Sequence, residues 1–287
     1  MELLGALLPR THRIILAGDL HSGNCATHRK GWLEMIARLK EERNTYVILM
    51  GDLVESIACD DKRFSAEIHD ARLLPFQQME DITAAIKPIK KKVLACLTGN
   101  HELHLHRYGD MTRMLCKDAD IPYGGYSSKV AVRYGKCGPP AYKIYVTHGR
   151  LSINSSADDP VRRQSNMRLS LKRRLQHLAG DCAVMATGHC HRLITVKPVP
   201  ELYMTDDGHH LQAHYTESQQ HGAHIDPNLR WYAATGSFLK NAVIGATSYS
   251  EQAMYAPNEL GYAEIVVEDG RVVRVEEKHL GADHVAE

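Results

Sequence analysis

The sequence predicts an α/β fold, with a sheet sandwiched between helices, and three observations support this. The chain has 287 residues, 44% of them hydrophobic, which is enough to bury a large core. Helical patterns fall between short apolar runs, and this alternation is typical of α/β folds. The runs are almost continuously apolar, as expected of strands covered on both faces. We predict strands at Arg13–Ala17, Tyr46–Met50, Val93–Leu97, Lys143–Val146 and Cys182–Ala186.

Three segments between these strands carry apolar residues at helical spacing, and each set marks the inner face of a helix. The second helix is expected to stop near Pro88. The third is expected to start with Asp159 as its cap and Pro160 in its first turn. The apolar sets are Trp32, Met35, Ile36 and Leu39; Phe76, Met79, Ile82 and Ile86; and Met167, Leu171, Leu175 and Leu178.

The last third of the chain reads as largely β. A hairpin is predicted where Leu202–Thr205 and His209–Tyr215 flank a turn signal of two aspartates and a glycine. No internal repeat, low-complexity segment or flexible linker is visible. We therefore expect one domain over residues 1–287, with an inserted hairpin and loop at about 199–229. Further strands are predicted at Trp231–Ala234, Ala263–Val267 and Arg271–Val275.

Bulk composition narrows the classes of function. Net charge is +1, from 35 basic and 34 acidic residues, so the chain as a whole offers no argument for a nucleic-acid or acidic partner. Seven scattered cysteines without a C-x-x-C pair argue against a disulfide framework and favour a reducing cytoplasm. The N-terminal apolar run is too short for a secretory signal, and no run of about 18 apolar residues could span a membrane.

Polar residues of the kinds that bind metals follow all five predicted strands. Each set stands beside a glycine, which lets the backbone turn sharply next to a site. The carboxyl ends of strands in an open α/β sheet are also where ligands bind. The candidate metal ligands are Asp19, His21, Asp52, Asn100, His148, His189 and His191.

Spacing and chemistry both fit a metal centre. Asp19 and His21 stand two residues apart, as do His189 and His191, and in an extended segment such residues point to the same side. Cys190 would then point away. Carboxylate, imidazole and amide donors suit manganese, iron or zinc better than magnesium, and manganese is our expectation. Two divalent ions about 3.5–4 Å apart can hold both the attacking and the leaving oxygen of a phosphoryl displacement.

The strand-end blocks occur in a recognisable order over residues 13–192. They read Asp19-Leu20-His21, Gly51-Asp52, Gly99-Asn100-His101-Glu102, His148-Gly149 and Gly188-His189-Cys190-His191. In these blocks the chain resembles the calcineurin-like metallophosphoesterase superfamily. The resemblance implies a four-layer α/β/β/α sandwich and a phosphoester hydrolase with a dinuclear metal centre.

The same resemblance implies a role for each residue of the blocks. Asp52 would bridge the two ions. His101 would protonate the leaving oxygen, and Glu102 would orient or polarise His101. The resemblance assigns Asp19, His21 and His191 to one ion, and Asn100, His148 and His189 to the other.

Features outside the blocks have more than one reading. The helix predicted over Arg162–Arg174 is basic, which suits either a solvated face or a contact surface for nucleic acid. Arg150 and Arg192 stand beside predicted ligands, where they could clamp a phosphate or pair with a carboxylate. The histidines between His209 and His224 predict a surface loop or partial lid, with a third metal site as the alternative.

For the substrate we favour a phosphodiesterase or nuclease that acts on nucleic acid or nucleotides, because of the basic helix. The alternatives are a phosphomonoesterase or protein phosphatase, and a nucleotide-lipid pyrophosphatase. A non-catalytic scaffold on the same fold is the alternative from another class. The complete set of predicted ligands argues against the scaffold.

Overall fold

The computed structural model describes residues 1–69, 74–150 and 152–281, apart from the side chain of residue 249. The strands in these ranges are β1 (Glu2–Leu7), β2 (His12–Ala17), β3 (Thr45–Leu49), β4 (Val93–Leu97), β5 (Tyr123–Gly125), β6 (Ser127–Arg133), β7 (Tyr142–Thr147), β8 (Val184–Thr187), β9 (Leu193–Val196), β10 (Leu202–Asp206), β11 (Leu211–Tyr215), β12 (Trp231–Thr235), β13 (Gly261–Glu268) and β14 (Arg271–His279). The α-helices are α1 (Arg29–Glu41), α2 (Pro75–Ile86), α3 (Asn100–Leu103), α4 (Met111–Ala119), α5 (Pro160–Leu175) and α6 (Tyr249–Gln252). Short 3-10 helices cover Lys87–Lys92, His106–Tyr108 and Pro227–Leu229. None of the helices in these ranges has the length and apolar character needed to cross a bilayer.

Twelve of the strands form two six-stranded sheets. The first sheet has the order β1-β6-β7-β8-β12-β9, and the second has the order β14-β13-β2-β3-β4-β5. The strands from β2 to β5 run parallel to one another, and so do β7, β8 and β12. Parallel neighbours need long crossover connections. Accordingly α1, α2 and α4 lie in the connections of the second sheet, and α5 lies between β7 and β8.

Three apolar cores hold sheets and helices together. One core lies between the two sheets, a second packs α1, α2 and α4 on the second sheet, and a third packs α5 on the first sheet. The central strands are therefore buried on both faces, which explains why their sequences are almost continuously apolar. Representative core residues are Ile14, Ile48 and Val146 between the sheets, Met35, Ile82 and Leu115 under α1, α2 and α4, and Leu171 and Leu175 under α5.

The boundaries of α5 follow the sequence cues. Asp159 caps the helix, because its carboxylate accepts a hydrogen bond from the backbone N–H of Arg162 at 2.7 Å. Pro160 is the first helical residue. Leu175 ends the helix, so Leu178, which we placed on its inner face, lies beyond it and is 48% exposed.

The predicted α/β class is confirmed, and all five predicted strands lie within two residues of their predicted ends. The predicted hairpin is present as β10 and β11. The strands β1, β5, β6 and β9 and the helices α3, α4 and α6 were not predicted. In β1 exposed residues alternate with half-buried ones, and Leu3 is 77% exposed. The core strands were predicted from apolar runs buried on both faces, and β1 is not buried in that way. The single domain over residues 1–287 stays a prediction.

The first residue of β2 makes stability depend on pH. His12 is 2% exposed; its Nδ1 donates to the carbonyl oxygen of Pro9, and its Nε2 accepts from the hydroxyl of Tyr142, both at 2.7 Å. Burial outweighs the Pro9 contact and lowers the pKa of His12 from 6.5 to about 4. The unfolded chain therefore binds this proton more tightly. We expect the contribution of His12 to the free energy of unfolding to fall by roughly 3 kcal/mol from neutral pH to pH 4.

Chemical denaturation at pH 7 and at about pH 4.5 checks this contribution. Other groups also titrate in this window, so the informative quantity is the difference between wild type and His12→Gln. On acidification, the free energy of unfolding of the variant should fall less than that of wild type. The difference between the two should be most of the roughly 3 kcal/mol expected for His12. The exposed His177 supplies the control, and His177→Gln should behave as wild type. An equal acid loss in His12→Gln and wild type would contradict the expectation.

Candidate metal centre

The predicted ligands come together where the carboxyl ends of both sheets meet. We expected them along the edge of one sheet, and their origin in two facing sheets corrects that expectation. The stacking of the sheets brings loops from distant parts of the chain within reach of one another. The second sheet delivers Asp19 and His21 after β2, Asp52 after β3 and Asn100 after β4, and the first sheet delivers His148 after β7 and His189 and His191 after β8.

Asp19, His21 and His191 form one group of potential metal ligands, with ligand atoms within 4.8 Å of one another. Oδ1 of Asp19 lies 3.3 Å from Nε2 of His191, and Nε2 of His21 lies 3.4 Å from that same nitrogen. Asp19 and His21 are buried, and the His191 side chain is 21% exposed. Three donors converging on one point form an arrangement suited to a divalent cation.

Asp52, His148 and His189 form a second group with the same spacing. Nε2 of His148 lies 3.2 Å from Oδ2 of Asp52 and 3.0 Å from Oδ1 of Asn100, so the amide belongs to this group as well. Oδ2 of Asp52 is also 3.9 Å from Nε2 of His21, a member of the first group. Asp52 therefore stands between the two groups.

Two buried polar atoms of the centre have no hydrogen-bond partner among the described residues. They are Nδ1 of His189 and Oδ1 of Asp19, one in each group, since the 3.3 Å contact of Oδ1 with Nε2 of His191 does not have the geometry of a hydrogen bond. A buried polar atom without a partner costs about 1–3 kcal/mol. A cation in each group would give both atoms a partner, so the donors present fit a pair of divalent metal ions.

Five of the seven predicted ligands have a backbone conformation that L-residues rarely adopt. Their φ angles lie between 49° and 66°, in the left-handed region, at a cost on the order of 1–3 kcal/mol each. Such strain persists only where the surroundings hold it, and it clusters at functional sites. We explained the two spaced pairs by extended segments, and that reason is wrong, because the chain turns at these positions. The five ligands are Asp19, His21, Asp52, His189 and His191.

Two glycines allow the loops to approach closely. Gly51 has φ +91°, and a Cβ built there would lie 2.8 Å from Nδ1 of His148. A Cβ on Gly99 would collide with the carboxylate of Asp52. The glycine beside each of these ligands therefore has a steric reason.

Hydrogen bonds fix the orientation of two rings. Nδ1 of His21 donates to Oε2 of Glu55 at 2.8 Å, and Nδ1 of His148 donates to the carbonyl oxygen of Met50 at 2.8 Å. Both bonds leave Nε2 directed at the carboxylates of the centre. Partners of this kind orient imidazole ligands in metal sites and fix their tautomer.

The electrostatics of the centre favour bound positive charge. Burial opposes ionisation of Asp52, but His148 outweighs it and holds the pKa of Asp52 well below its usual range. Burial likewise opposes protonation of His148, but Asp52 outweighs it and raises the pKa of His148 to about 10. Carboxylates that retain a proton on a buried imidazole can bind a divalent cation in place of that proton.

Glu55 is a residue of the site that the sequence analysis missed. It is 4% exposed, and its carboxylate accepts hydrogen bonds from His21 at 2.8 Å and from Nε2 of His69 at 3.2 Å. Its backbone carbonyl accepts a third from Nδ1 of His101 at 2.6 Å. Glu55 stands three residues after Asp52, and that spacing was the one available signal.

Glu102 lies in the site, but its contacts differ from our expectation. Its buried carboxylate accepts from backbone N–H groups of Asp52 at 3.1 Å, Leu53 at 2.7 Å and Gly99 at 2.8 Å. Burial and the Asp52 charge raise the pKa of Glu102 to about 6. The acidic residue in contact with the His101 ring is Glu55, so Glu102 joins the β3 and β4 loops instead.

His101 lies at the partly exposed edge of the centre. Its side chain is 17% exposed, and its ring centroid lies 4.5 Å from that of His21. Burial opposes protonation, but Asp52 and Glu55 outweigh it and raise the pKa of His101. Because Nδ1 is bonded to the Glu55 carbonyl, Nε2 is the nitrogen left for a substrate.

Three residues that stand beside the ligands in the sequence differ in their surroundings. Arg150 is exposed, and Arg192 donates to the carbonyl oxygen of Pro257 at 3.3 Å. Cys190 packs against the core under α5, and burial raises the pKa of its thiol to about 12. This cysteine is therefore a poor candidate for thiolate chemistry.

The basic residues predicted on one helix all lie on α5, which covers the outer face of the first sheet. The histidines of the β10–β11 region belong to none of the metal-ligand groups found among residues 1–69, 74–150 and 152–281. His214 instead contacts the hydroxyl of Thr205 at 3.0 Å. On α5 the exposed cations are Arg162, Arg163, Arg168, Arg173 and Arg174, and Lys172 is half-buried.

Comparison with known proteins assigns the chain to a family. A family model described as calcineurin-like phosphoesterase matches residues 12–214, which is more than half of the chain. The chain belongs to the calcineurin-like phosphoesterase family. Members of this family hydrolyse phosphoesters with a centre of two divalent metal ions, so this calcineurin-like phosphoesterase is a metal-dependent phosphoester hydrolase.

Solved structures similar to this phosphoesterase are remote. Hypothetical protein PH1004 from Pyrococcus horikoshii OT3 is 10% identical with a TM-score of 0.42, and the match covers 95% of this chain and 89% of that one. Vps29 from Chaetomium thermophilum is 12% identical with a TM-score of 0.34, covering 89% and 82%. The nuclease MPE of Pseudomonas putida is 15% identical with a TM-score of 0.30, covering 92% and 86%. No curated protein sequence matches the chain.

The contacts of Glu55 lead to a prediction about metal affinity. Glu55→Gln removes the charge that orients His21 and should weaken Mn²⁺ binding about 10–100-fold, the usual effect of losing such a partner. Calorimetric titration of Mn²⁺ into metal-free protein measures it. Glu34→Gln, on the exposed face of α1, is the control and should bind as wild type. Equal affinity in Glu55→Gln and wild type would show that Glu55 does not orient a ligand.

Proposed function

We propose that the centre cleaves phosphodiesters of nucleic acids or nucleotides, with two divalent ions, manganese by preference, as its cofactor. The observation that supports this most is the position of Asp52, 3.2 Å from His148 in one group and 3.9 Å from His21 in the other. In this proposal Asp52 would contribute to holding both ions. Asp19, His21 and His191 would hold the first ion, and Asn100, His148 and His189 would hold the second.

Two bound cations supply a water that loses its proton near neutral pH and neutralise charge on the phosphoryl oxygens. The chain supplies the proton that the leaving oxygen takes up. His101 is partly exposed beside the centre, and its Nδ1 is anchored on the Glu55 carbonyl. Its Nε2 can therefore donate to the leaving oxygen. Glu102 contributes by fixing the loop of Asp52 through backbone hydrogen bonds.

The preference for phosphodiesters rests on α5. Five exposed arginines on one helix offer a surface for the phosphates that flank a scissile bond in a nucleic acid. A phosphomonoester has no such flanking phosphates. Arg150 is exposed next to the ligand His148 and is the proposed contact for the phosphate under attack.

A substrate panel tests the proposal. Protein loaded with Mn²⁺ should hydrolyse bis(p-nitrophenyl) phosphate faster than p-nitrophenyl phosphate, and a chelator should abolish both activities. Single- and double-stranded DNA, RNA, cyclic nucleotides and nucleoside diphosphate conjugates then separate the substrate classes. Faster turnover of monoesters or of the diphosphate conjugates would replace the proposal with a phosphatase or a pyrophosphatase. Inertness towards the whole panel would favour a scaffold.

Charge reversal on α5 separates nucleic-acid binding from chemistry. Arg173→Glu/Arg174→Glu should raise KM for DNA about tenfold or more at low salt and leave bis(p-nitrophenyl) phosphate turnover unchanged, because only a polyanion contacts the helix. Lys87→Glu/Lys91→Glu is a control of equal charge in another exposed basic segment, and its KM should not change. Equal KM values in both double variants and wild type would exclude α5 from substrate binding.

The compartment follows from the cysteines. All seven are unpaired, and three of them, Cys25, Cys59 and Cys137, are exposed. Exposed thiols persist in a reducing environment. We therefore propose the cytoplasm as the working compartment.

A further inference from the structure

The hairpin of β10 and β11 is a ribbon with no other strand beside it in the described parts of the chain. Two-stranded sheets are at best marginally stable in water unless one face is covered. The ribbon therefore raises the question of what covers it.

The register of the ribbon gathers its apolar side chains on one face. Leu202 lies opposite Tyr215, and Met204 lies opposite Ala213. Leu211, two residues from Ala213, points the same way, and Asp206 lies opposite it at the end of this face. Residues opposite each other share a face, and so do alternate residues of a strand. We call the face formed by Leu202, Met204, Leu211, Ala213 and Tyr215 the apolar face.

The other face of the ribbon is polar and internally bonded. Tyr203 lies opposite His214, and their ring centroids are 5.5 Å apart. Nε2 of His214 contacts the hydroxyl of Thr205 at 3.0 Å, and Gln212 lies opposite Thr205. The ribbon is therefore amphipathic, and only its apolar face calls for a partner.

The apolar face is open to solvent. Leu202 is 58% exposed, Met204 62%, Leu211 74% and Tyr215 64%. None of them belongs to the hydrophobic clusters of the described chain. With Ala213 they expose roughly 600 Å² of mainly apolar surface. This is the upper end of the range for the largest apolar patch on a monomeric protein.

A second copy of this chain fits the apolar face in area. Two such faces packed together remove roughly 1,200 Å² from water, which is where stable protein interfaces begin. A two-fold interface uses the same patch on both subunits, so a single apolar face can serve as its own partner.

The charges around the ribbon also fit a second copy. Asp206 and Asp207 stand at the tip, and the exposed Arg271 lines a hollow at the base together with Glu217, Tyr203 and Tyr215. If the two ribbons run antiparallel, the acidic tip of each lies near Arg271 of the other subunit. An acidic tip would instead be repelled by an anionic lipid surface.

We infer that this phosphoesterase forms a two-fold symmetric dimer in which the apolar faces of two β10–β11 ribbons pack against each other. The dimer does not depend on the proposed substrate, because the ribbon contains no residue of the metal centre.

Light scattering coupled to size-exclusion chromatography tests the dimer. Wild type should elute with twice the chain mass of 32.2 kDa. Leu211→Glu places a charge on the apolar face and should shift the protein to the mass of one chain. The neighbouring residue Gln212 points to the polar face, and Gln212→Glu should remain a dimer. Both variants should keep wild-type turnover of bis(p-nitrophenyl) phosphate, which also shows that they are folded.

Several outcomes would overturn the inference. Wild type at the mass of one chain at every concentration would do so, as would a Leu211→Glu variant that stays dimeric. Loss of the dimer in both variants would show that the polar face also makes the contact. A wild-type monomer that binds phosphatidylcholine vesicles would make the face a lipid contact instead. If Leu211→Glu does not fold, Met204→Glu puts the same charge on the same face and decides the matter.

Discussion

Asp52→Asn should lower kcat for bis(p-nitrophenyl) phosphate about 10³-fold or more. Asp52 is 1% exposed and stands between the two ligand groups, so its charge acts on both proposed ions. Removing one preorganised electrostatic contact from an active site typically lowers kcat about 10²–10³-fold. Removing the charge of a ligand shared by both ions should lower kcat at least as much. Asparagine keeps the shape of the side chain, and its oxygen can still accept from the backbone N–H of His101, at 2.8 Å in the wild type.

Asp181→Asn is the matched control for this substitution. Asp181 precedes β8, while the ligands His189 and His191 follow it, so the two aspartates lie towards opposite ends of the fold. Its carboxylate binds Lys129 at 2.8 Å and Lys143 at 2.6 Å. The control should keep near wild-type kcat, with circular dichroism confirming the fold of both variants. A kcat for Asp52→Asn within tenfold of wild type would remove the bridge from the mechanism.

His101→Gln should lower kcat by about 10²–10⁴-fold, the range expected for loss of a general acid. The proposed role is specific, because Nε2 of His101 protonates the leaving oxygen. The loss should therefore be large for a nucleotide substrate, whose departing alkoxide needs the proton. It should shrink for a p-nitrophenyl ester, whose leaving group is stable as an anion. Measuring kcat for both substrates tests the assignment.

His104→Gln controls for the loss of a nearby imidazole. The His104 ring centroid lies 5.5 Å from that of His101, and His104 contacts the guanidinium of Arg63 on the exposed side. This variant should keep kcat within a few-fold of wild type for both esters. A His101→Gln defect of equal size for both leaving groups would assign His101 to binding or positioning and not to proton donation.

The sequence was informative about the centre because its ligands follow core strands. Buried parallel strands need apolar side chains on both faces, so β2, β3 and β4 are visible as apolar runs. The polar residues at their ends then stand out, and a glycine such as Gly99 marks a loop in close contact with Asp52. The spatial meeting of these ends follows from the parallel arrangement.

Other parts of the site left no comparable pattern. Glu55 and His69 meet across 14 residues, and nothing in their spacing indicates that the carboxylate of one accepts from the ring of the other at 3.2 Å. The pairing of Asp19 with His21 was predicted for a wrong reason, since left-handed backbone angles and not an extended strand bring them together. Tertiary contacts impose such angles, so local sequence rules do not reveal them.

The same limit applies to the contacts of Glu102. As a neighbour of His101 in the sequence, it was the natural candidate to polarise that ring. In the fold, the short helix α3 turns its carboxylate towards the backbone of Asp52 and Leu53. The acidic residue beside the ring of His101 comes from the β3 loop, so only the packing of two loops reveals it.

Metal content per chain decides whether the centre is dinuclear. Purified protein, reconstituted with Mn²⁺ and freed of excess ions, should contain two ions per chain by mass spectrometry of the elements. Asp52→Asn should contain fewer than two, and Asp181→Asn should contain two. One ion or none in the wild type, or two in Asp52→Asn bound as tightly as in the wild type, would contradict a dinuclear centre bridged by Asp52.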